Sequence, residues 1–167
     1  MLNKDTLESI LNRIHDWIKA ADQKVSIFFA FQSIVVTLMV SNISALFSGV
    51  IYKIPLLLII LLAFSIFLMF YGCFKSLQAL IPRLKYSDTN KSLIYFGDIA
   101  KLDFNDYNKA INNMNDKDYS EELIKQIYVS SRIATKKHEH FRDSLIISIL
   151  GIIIFIVPII SLLFYGK

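Results

Sequence analysis

The sequence predicts an all-α membrane protein. Three transmembrane helices carry a small helical cytoplasmic region, formed by an N-terminal helix and the segment between the second and third spans. Three observations predict this. The 167-residue chain is 54% hydrophobic and has a mean hydropathy of +0.50, above what a soluble domain usually shows. Three windows, 25–52, 54–74 and 144–166, contain no Asp, Glu, Lys or Arg, and each exceeds the roughly 20 residues a helix needs to cross the hydrocarbon core. Almost all charged residues lie instead in the N-terminal tail and in 75–143. The expected spans are 25–47, 54–74 and 144–165, within a single domain covering 1–167.

Residues 5–24 read as an amphipathic cytoplasmic helix. Leu7, Ile10, Leu11, Ile14, Trp17, Ile18 and Ala21 recur at helical spacing, and Asp5 with Glu8 has the spacing of a capping box. No Pro or Gly separates this helix from the first span, so the two are expected to be continuous. The polar start and the lack of a small-residue cleavage site argue against a signal peptide.

Within the first span, Ser26, Ser33, Thr37, Ser41 and Ser44 fall on one narrow stripe at about 100° per residue. Such a stripe is either a helix-packing seam or the wall of a water path in an oligomer. Gln32 lies off the stripe and is expected to face protein, because an amide in lipid is costly. Pro55 suits the first turn of the second helix, which can continue past the membrane until Pro82. Asp103 to Asn115 reads as a short helix. A further helix beginning near Tyr119 runs without a breaker into the third span, where Ser144, Ser148 and Gly151 form a small-residue seam and Pro158 lies within the helix.

Sixteen of the 18 Lys and Arg residues lie in the tail or in 75–143; only Lys53 and Lys167 lie on the other side. The positive-inside rule then places the N-terminus in the cytoplasm and the C-terminus outside. The formal charge of +4 is accordingly an orientation signal, and no nucleic acid is expected as a partner.

Catalytic chemistry is sparse. His15-Asp16 lacks the further ligands of a metal phosphohydrolase. His138 and His140 stand at i and i+2, whereas a helical zinc site wants i and i+4. No phosphate loop or nucleophile elbow is present. No enzyme activity, metal or cofactor is expected, and the single Cys73 reads as packing. Binding chemistry is richer. Trp17, Lys19, Asp22 and Lys24 precede the first span, and Arg132, Lys136 and Lys137 precede the third. Basic groups near an aromatic ring suit a phosphate and a stacked base; the same residues also serve as membrane-flanking anchors.

Three stretches together resemble the transmembrane effectors of Pycsar, a bacterial anti-phage system. They are the run from Trp17 to Lys24, the segment Tyr95-Phe96-Gly97-Asp98-Ile99-Ala100-Lys101, and the run from Gln126 to Lys137. The resemblance extends over about residues 10 to 160. It implies that a partner cyclase makes cUMP or cCMP on infection, and that the effector, in the bacterial inner membrane, senses this nucleotide and impairs the membrane, giving abortive infection. It marks Trp17, Asp22, Lys24, Phe96, Gly97, Asp98, Gln126 and Lys136 as family-like positions. With Arg132, these are the candidate ligand residues. A homo-oligomer in the lipid bilayer is expected. A membrane-anchored protein-binding adaptor and an effector responding to a cyclic oligonucleotide are the alternatives. In the central segment, Tyr95, Phe96 and Ile99 are expected to pack on the long helices, with Asp98 capping the next helix or holding Lys24 or Arg132.

Overall fold

The computed structural model describes residues 3–47, 55–81 and 92–165, and the side chains of all of these except 43–47 and 162–165; the Ser44 side chain and Pro82 therefore lie outside the description. The described residues form five helices and no strand: α1 (Lys4–Phe47), α2 (Leu56–Leu80), α3 (Phe96–Ile99), α4 (Phe104–Asn112) and α5 (Asp116–Tyr165). The amphipathic tail and the first span are one helix of 44 residues, and the helix entering the third span is one of 50. Pro55 supplies the N-cap of α2, one residue earlier than the expected first turn. The expected capping box does not form its side-chain bond. Glu8 instead accepts a hydrogen bond from the Tyr119 hydroxyl at 3.1 Å.

The chain divides into two compact units. One comprises residues 1–20 and 83–135, the other 21–82 and 136–167.

In the second unit α1 and α5 run in the same direction and α2 against them. Phe28 of α1 packs edge-on against Phe141 of α5, and Gln32 reaches Ser144 and Ser148. Lys75 of α2 lies opposite Asp143, and Gly72 opposite Ser144. All three helices exceed the length and apolarity needed to cross a bilayer.

Their outward faces are apolar: Ile27, Phe31 and Ile34 on α1, Leu57, Ile60 and Phe64 on α2, Ile146, Leu150 and Ile153 on α5. Their inward faces are partly polar. Gln32, Ser65, Ser76, Ser144 and Ser148 are buried. This inversion of the soluble pattern is stable only where the surrounding medium is itself apolar and polar groups must be satisfied from within.

The inward positions follow a heptad. On α2 the buried residues are Leu58, Leu62, Ser65, Met69, Gly72, Ser76 and Ala79, in alternating steps of four and three. On α5, Leu123, Ser130, Lys137, Ser144, Gly151 and Pro158 are all buried, one every seventh residue. On α1, Leu7, Ile14 and Ala21 share one heptad position and Val25, Gln32 and Met39 another. A repeat of 3.5 residues keeps one face toward neighbouring helices over a long distance.

Around Gln32 the packing is polar and tight. Its amide nitrogen donates to Ser144 Oγ at 3.0 Å and Ser148 Oγ at 2.7 Å, and its amide oxygen accepts from Ser76 Oγ at 2.7 Å. Ser144 Oγ also lies 2.8 Å from the carbonyl of Gly72. A Cβ at Gly72 would come within 2.3 Å of Ser148 Oγ and 3.3 Å of the Gln32 amide nitrogen. Gly72 is therefore what lets α2 approach closely enough for the network to close. Gly72→Val is expected to force α2 from α5 and lower stability by about 1–3 kcal/mol, the usual cost of overpacking. Thermal unfolding of the detergent-solubilised protein, followed by helical circular dichroism, measures this.

Candidate functional site

In the first unit the candidate ligand residues fall on three elements. Trp17 on α1 is 58% exposed, and Phe96 at the start of α3 is 77% exposed. Arg132 on α5 is exposed, with its guanidinium over the Tyr128 ring at 5.8 Å. The expectation that Tyr95 and Phe96 pack inward is corrected: both are exposed, and they tilt against each other with centroids 4.8 Å apart. The two rings bury area against each other instead of against the long helices. Gly97 fits beneath this pair, since a Cβ there would meet the Tyr95 ring at 2.7 Å.

Ser92 ties this segment to α5. Its hydroxyl donates to Glu122 Oε2 at 2.6 Å and accepts from Gln126 Nε2 at 3.2 Å and from the Tyr95 amide at 3.2 Å. Its own amide donates to Asp98 Oδ2 at 3.2 Å, while Lys101 pairs with Asp98 Oδ1 at 3.3 Å. Asp98 and Gln126 are thus brought to one residue, Ser92. Asp98 does not cap α4; Asp103 does, accepting from the Asn105 amide at 3.2 Å.

At the other end of this unit, Lys4 lies 4.5 Å from the Tyr119 ring centroid. Burial, then the hydrogen bond and charge of Glu8, push the Tyr119 phenol above its usual pKa.

A cavity of about 280 Å³ opens beside this cluster, lined by Leu93, Ala110, Asn113, Met114, Asp118, Glu121, Glu122 and Lys125. It contains none of the candidate ligand residues. Three carboxylates against one ammonium make it a poor host for a phosphate.

In the second unit Lys24 on α1 is exposed, Lys136 on α5 is half-buried, and neither pairs with a described acidic residue. Asp22 behaves differently, because its carboxylate is held by Lys137. The Lys137 ammonium also donates to the carbonyls of Ala79 and Leu80, each at 3.1 Å. Those carbonyls end α2, where a helix lacks its own donors and carries partial negative charge.

Sequence reasoning read Lys137 only as one of the basic groups preceding the third span and missed it as a buried group; its side chain is 5% exposed. The signal was the step of seven from Leu123 through Ser130 to Ser144, which Lys137 completes.

The hydroxyl stripe of the first span does not form the seam among the three spans. Ser26, Ser33, Thr37 and Ser41 are exposed. The Ser33, Thr37 and Ser41 hydroxyls donate to α1's own carbonyls at Phe29, Ser33 and Leu38. The seam is built by Gln32 and the serines of α2 and α5, as expected for Gln32 and for the Ser144-Ser148-Gly151 run.

Among the described residues no group of three His, Cys, Asp or Glu side chains is placed to hold a metal ion. Together these features define a multi-pass helical membrane protein with basic and aromatic groups near the heads of two of its spanning helices. The family model of the Pycsar effector protein domain matches residues 6–165, and the chain belongs to that family. Its role is that of an effector in the Pycsar anti-phage system. No curated protein and no solved structure matches the chain.

Ser92→Ala removes the hydroxyl shared by Glu122, Gln126 and the Tyr95 amide. Leaving part-buried partners unsatisfied costs about 1–3 kcal/mol. Amide hydrogen exchange across residues 92–99 should accelerate accordingly, while that of α2 stays unchanged.

Proposed function

We propose that the chain senses a cyclic pyrimidine nucleotide, cUMP or cCMP, made by a partner cyclase, and answers by impairing the bacterial inner membrane, so that an infected cell stops growing before phage spread. Membership of the Pycsar effector family over residues 6–165 carries this reading. The basic excess in the tail and in 75–143 supports a cytoplasmic N-terminus and an external C-terminus.

Trp17 and Arg132 are the proposed reading groups of the first unit. An exposed indole offers a stacking face and an exposed guanidinium a fork for phosphate. Lys24 and Lys136 are the proposed phosphate-attracting groups of the second. Asp22, Phe96, Gly97, Asp98 and Gln126 are the further proposed ligand residues, as positions that resemble those of the family.

The nucleotide acts by population shift, binding the active arrangement better than the resting one. In the active homo-oligomer, Ser26, Ser33, Thr37, Ser41 and Ser44 of several copies line the lesion. The exposure of the four described members of that stripe on the single chain supports this.

Liposomes carrying the purified protein are expected to leak a trapped dye when cUMP or cCMP is added, and to stay sealed without it. Arg132→Ala and Trp17→Ala should each raise the nucleotide concentration required by about tenfold, the effect of losing one charged contact or one stacked base. Ser33→Leu with Thr37→Leu should abolish leakage without weakening nucleotide binding in calorimetry. Binding of a cyclic oligonucleotide in the same titration, or of no nucleotide at all, would favour the oligonucleotide-responsive effector or the adaptor instead.

A further inference from the structure

We propose that the buried Lys137 ammonium is the latch of the membrane-spanning bundle: its pairing with Asp22 and with the end of α2 holds the bundle closed, and opening hydrates it. The inference rests on the reading above that the protein opens the membrane when nucleotide binds.

Lys137 occupies an inward heptad position on α5, and its side chain is only 5% exposed, whereas the Asp22 carboxylate beside it is 40% exposed. The three protons of the ammonium meet three acceptors: Asp22 Oδ1, Ala79 O and Leu80 O. One side chain therefore joins α1, the C-terminal end of α2, and α5. Seven residues further along α5 lies Ser144, whose hydroxyl accepts from the Gln32 amide and donates to the Gly72 carbonyl. Polar groups that satisfy one another in this way are those of a closed, dry interior.

A buried ammonium is tolerated only while its partners are complete, because desolvating a charge opposes its burial. The same group is fully satisfied by water once the helices part. Lys137 thus makes the closed state conditional on Asp22, and gives the open state an advantage that an apolar residue at this position would lack. Asp22 lies on the same unbroken helix as Trp17, five residues on, so a ligand that turns this part of α1 also moves the counter-charge.

Two substitutions at this one contact should have opposite effects. Asp22→Asn leaves the ammonium buried without a counter-charge and should shift the bundle open. Liposome leakage without nucleotide should rise at least about tenfold above that of the unmodified protein. Lys137→Met keeps the volume and removes the charge that opening would hydrate. It should leave leakage without nucleotide at the basal level and raise the cUMP or cCMP concentration needed by about tenfold. The double variant Asp22→Asn/Lys137→Met should follow Lys137→Met, since no unpaired charge remains.

A contact that only supports the fold would move both single variants in the same direction, and that result overturns the latch. So does a leakage of Asp22→Asn indistinguishable from the unmodified protein. Hydrogen exchange of the full chain in nanodiscs provides a readout independent of leakage. Exchange of the α5 amides around residues 134–141 should rise about tenfold in Asp22→Asn and stay unchanged in Lys137→Met. Unchanged exchange in Asp22→Asn rejects the latch whatever the leakage shows. Should the unmodified protein fail to leak with nucleotide while exchange behaves as expected, the proposed function fails and the latch stands.

Discussion

The Gln32 amide is the interaction on which the bundle of spans depends. A primary amide presents two donors and an acceptor, and apolar surroundings satisfy none of them. Leaving such a group unpaired costs several kcal/mol, roughly 2–7 depending on the reference. The chain meets that demand from two other helices, with Ser76 from α2 and Ser144 and Ser148 from α5. Geometry then dictates the rest. The serine hydroxyls are short, so the helices must come close, and Gly72 and Gly151 provide the room. A Cβ at Gly151 would stand 3.2 Å from Met69 and 3.3 Å from the Ser65 carbonyl. Because lipid offers the spans no hydrophobic driving force toward one another, this polar node and the close packing around it define which helix faces meet.

Lys137 extends the same logic to a charge. Gln32 is neutral and its partners are neutral, so its network can be closed permanently. Lys137 is held by a carboxylate and by two helix-end carbonyls, and a carboxylate that is partly exposed has water as an alternative partner. The bundle therefore has a neutral polar node deeper in the spans and a charged one near the point where α2 ends. Under the latch proposed above, the division is physical: one interaction specifies the structure, and the other makes it breakable.

The distribution of charge in the first unit bears on ligand chemistry. The cavity there is walled by Asp118, Glu121 and Glu122, and two of its charged groups, Glu122 and Lys125, already pair at 3.5 Å. An anion meets less repulsion at the exposed Arg132 guanidinium than in this recess. The short helix α3 belongs to the scaffold in a specific sense. Ser92 and Asp98 hold its backbone, and Gly97 lets the Tyr95 ring fold over it, while the Phe96 ring is left outside. Glu122 and Gln126 bind Ser92 from successive turns of α5, so the segment and the helix are fixed together.

Most of the fold was legible in the sequence, because membrane spans and helix continuity are local properties. Uncharged windows longer than the hydrocarbon core announce spans, and the lack of breakers after Ala21 and before Ser144 announces helices that run on unbroken. Gln32 could be assigned inward from the cost of a polar group in lipid, and the Ser144-Ser148-Gly151 run from its small-residue spacing. What only the tertiary structure decided was which polar groups meet. The first-span hydroxyl stripe has the spacing of a seam, yet Ser33 and Thr37 satisfy themselves on their own helix and face outward. Asp22 and Lys137 are separated by 115 positions, and Ala79 and Leu80 enter through carbonyls that every residue has. No local pattern marks such a cluster, because a backbone acceptor carries no residue identity and a partner across the bundle has no fixed spacing in the chain.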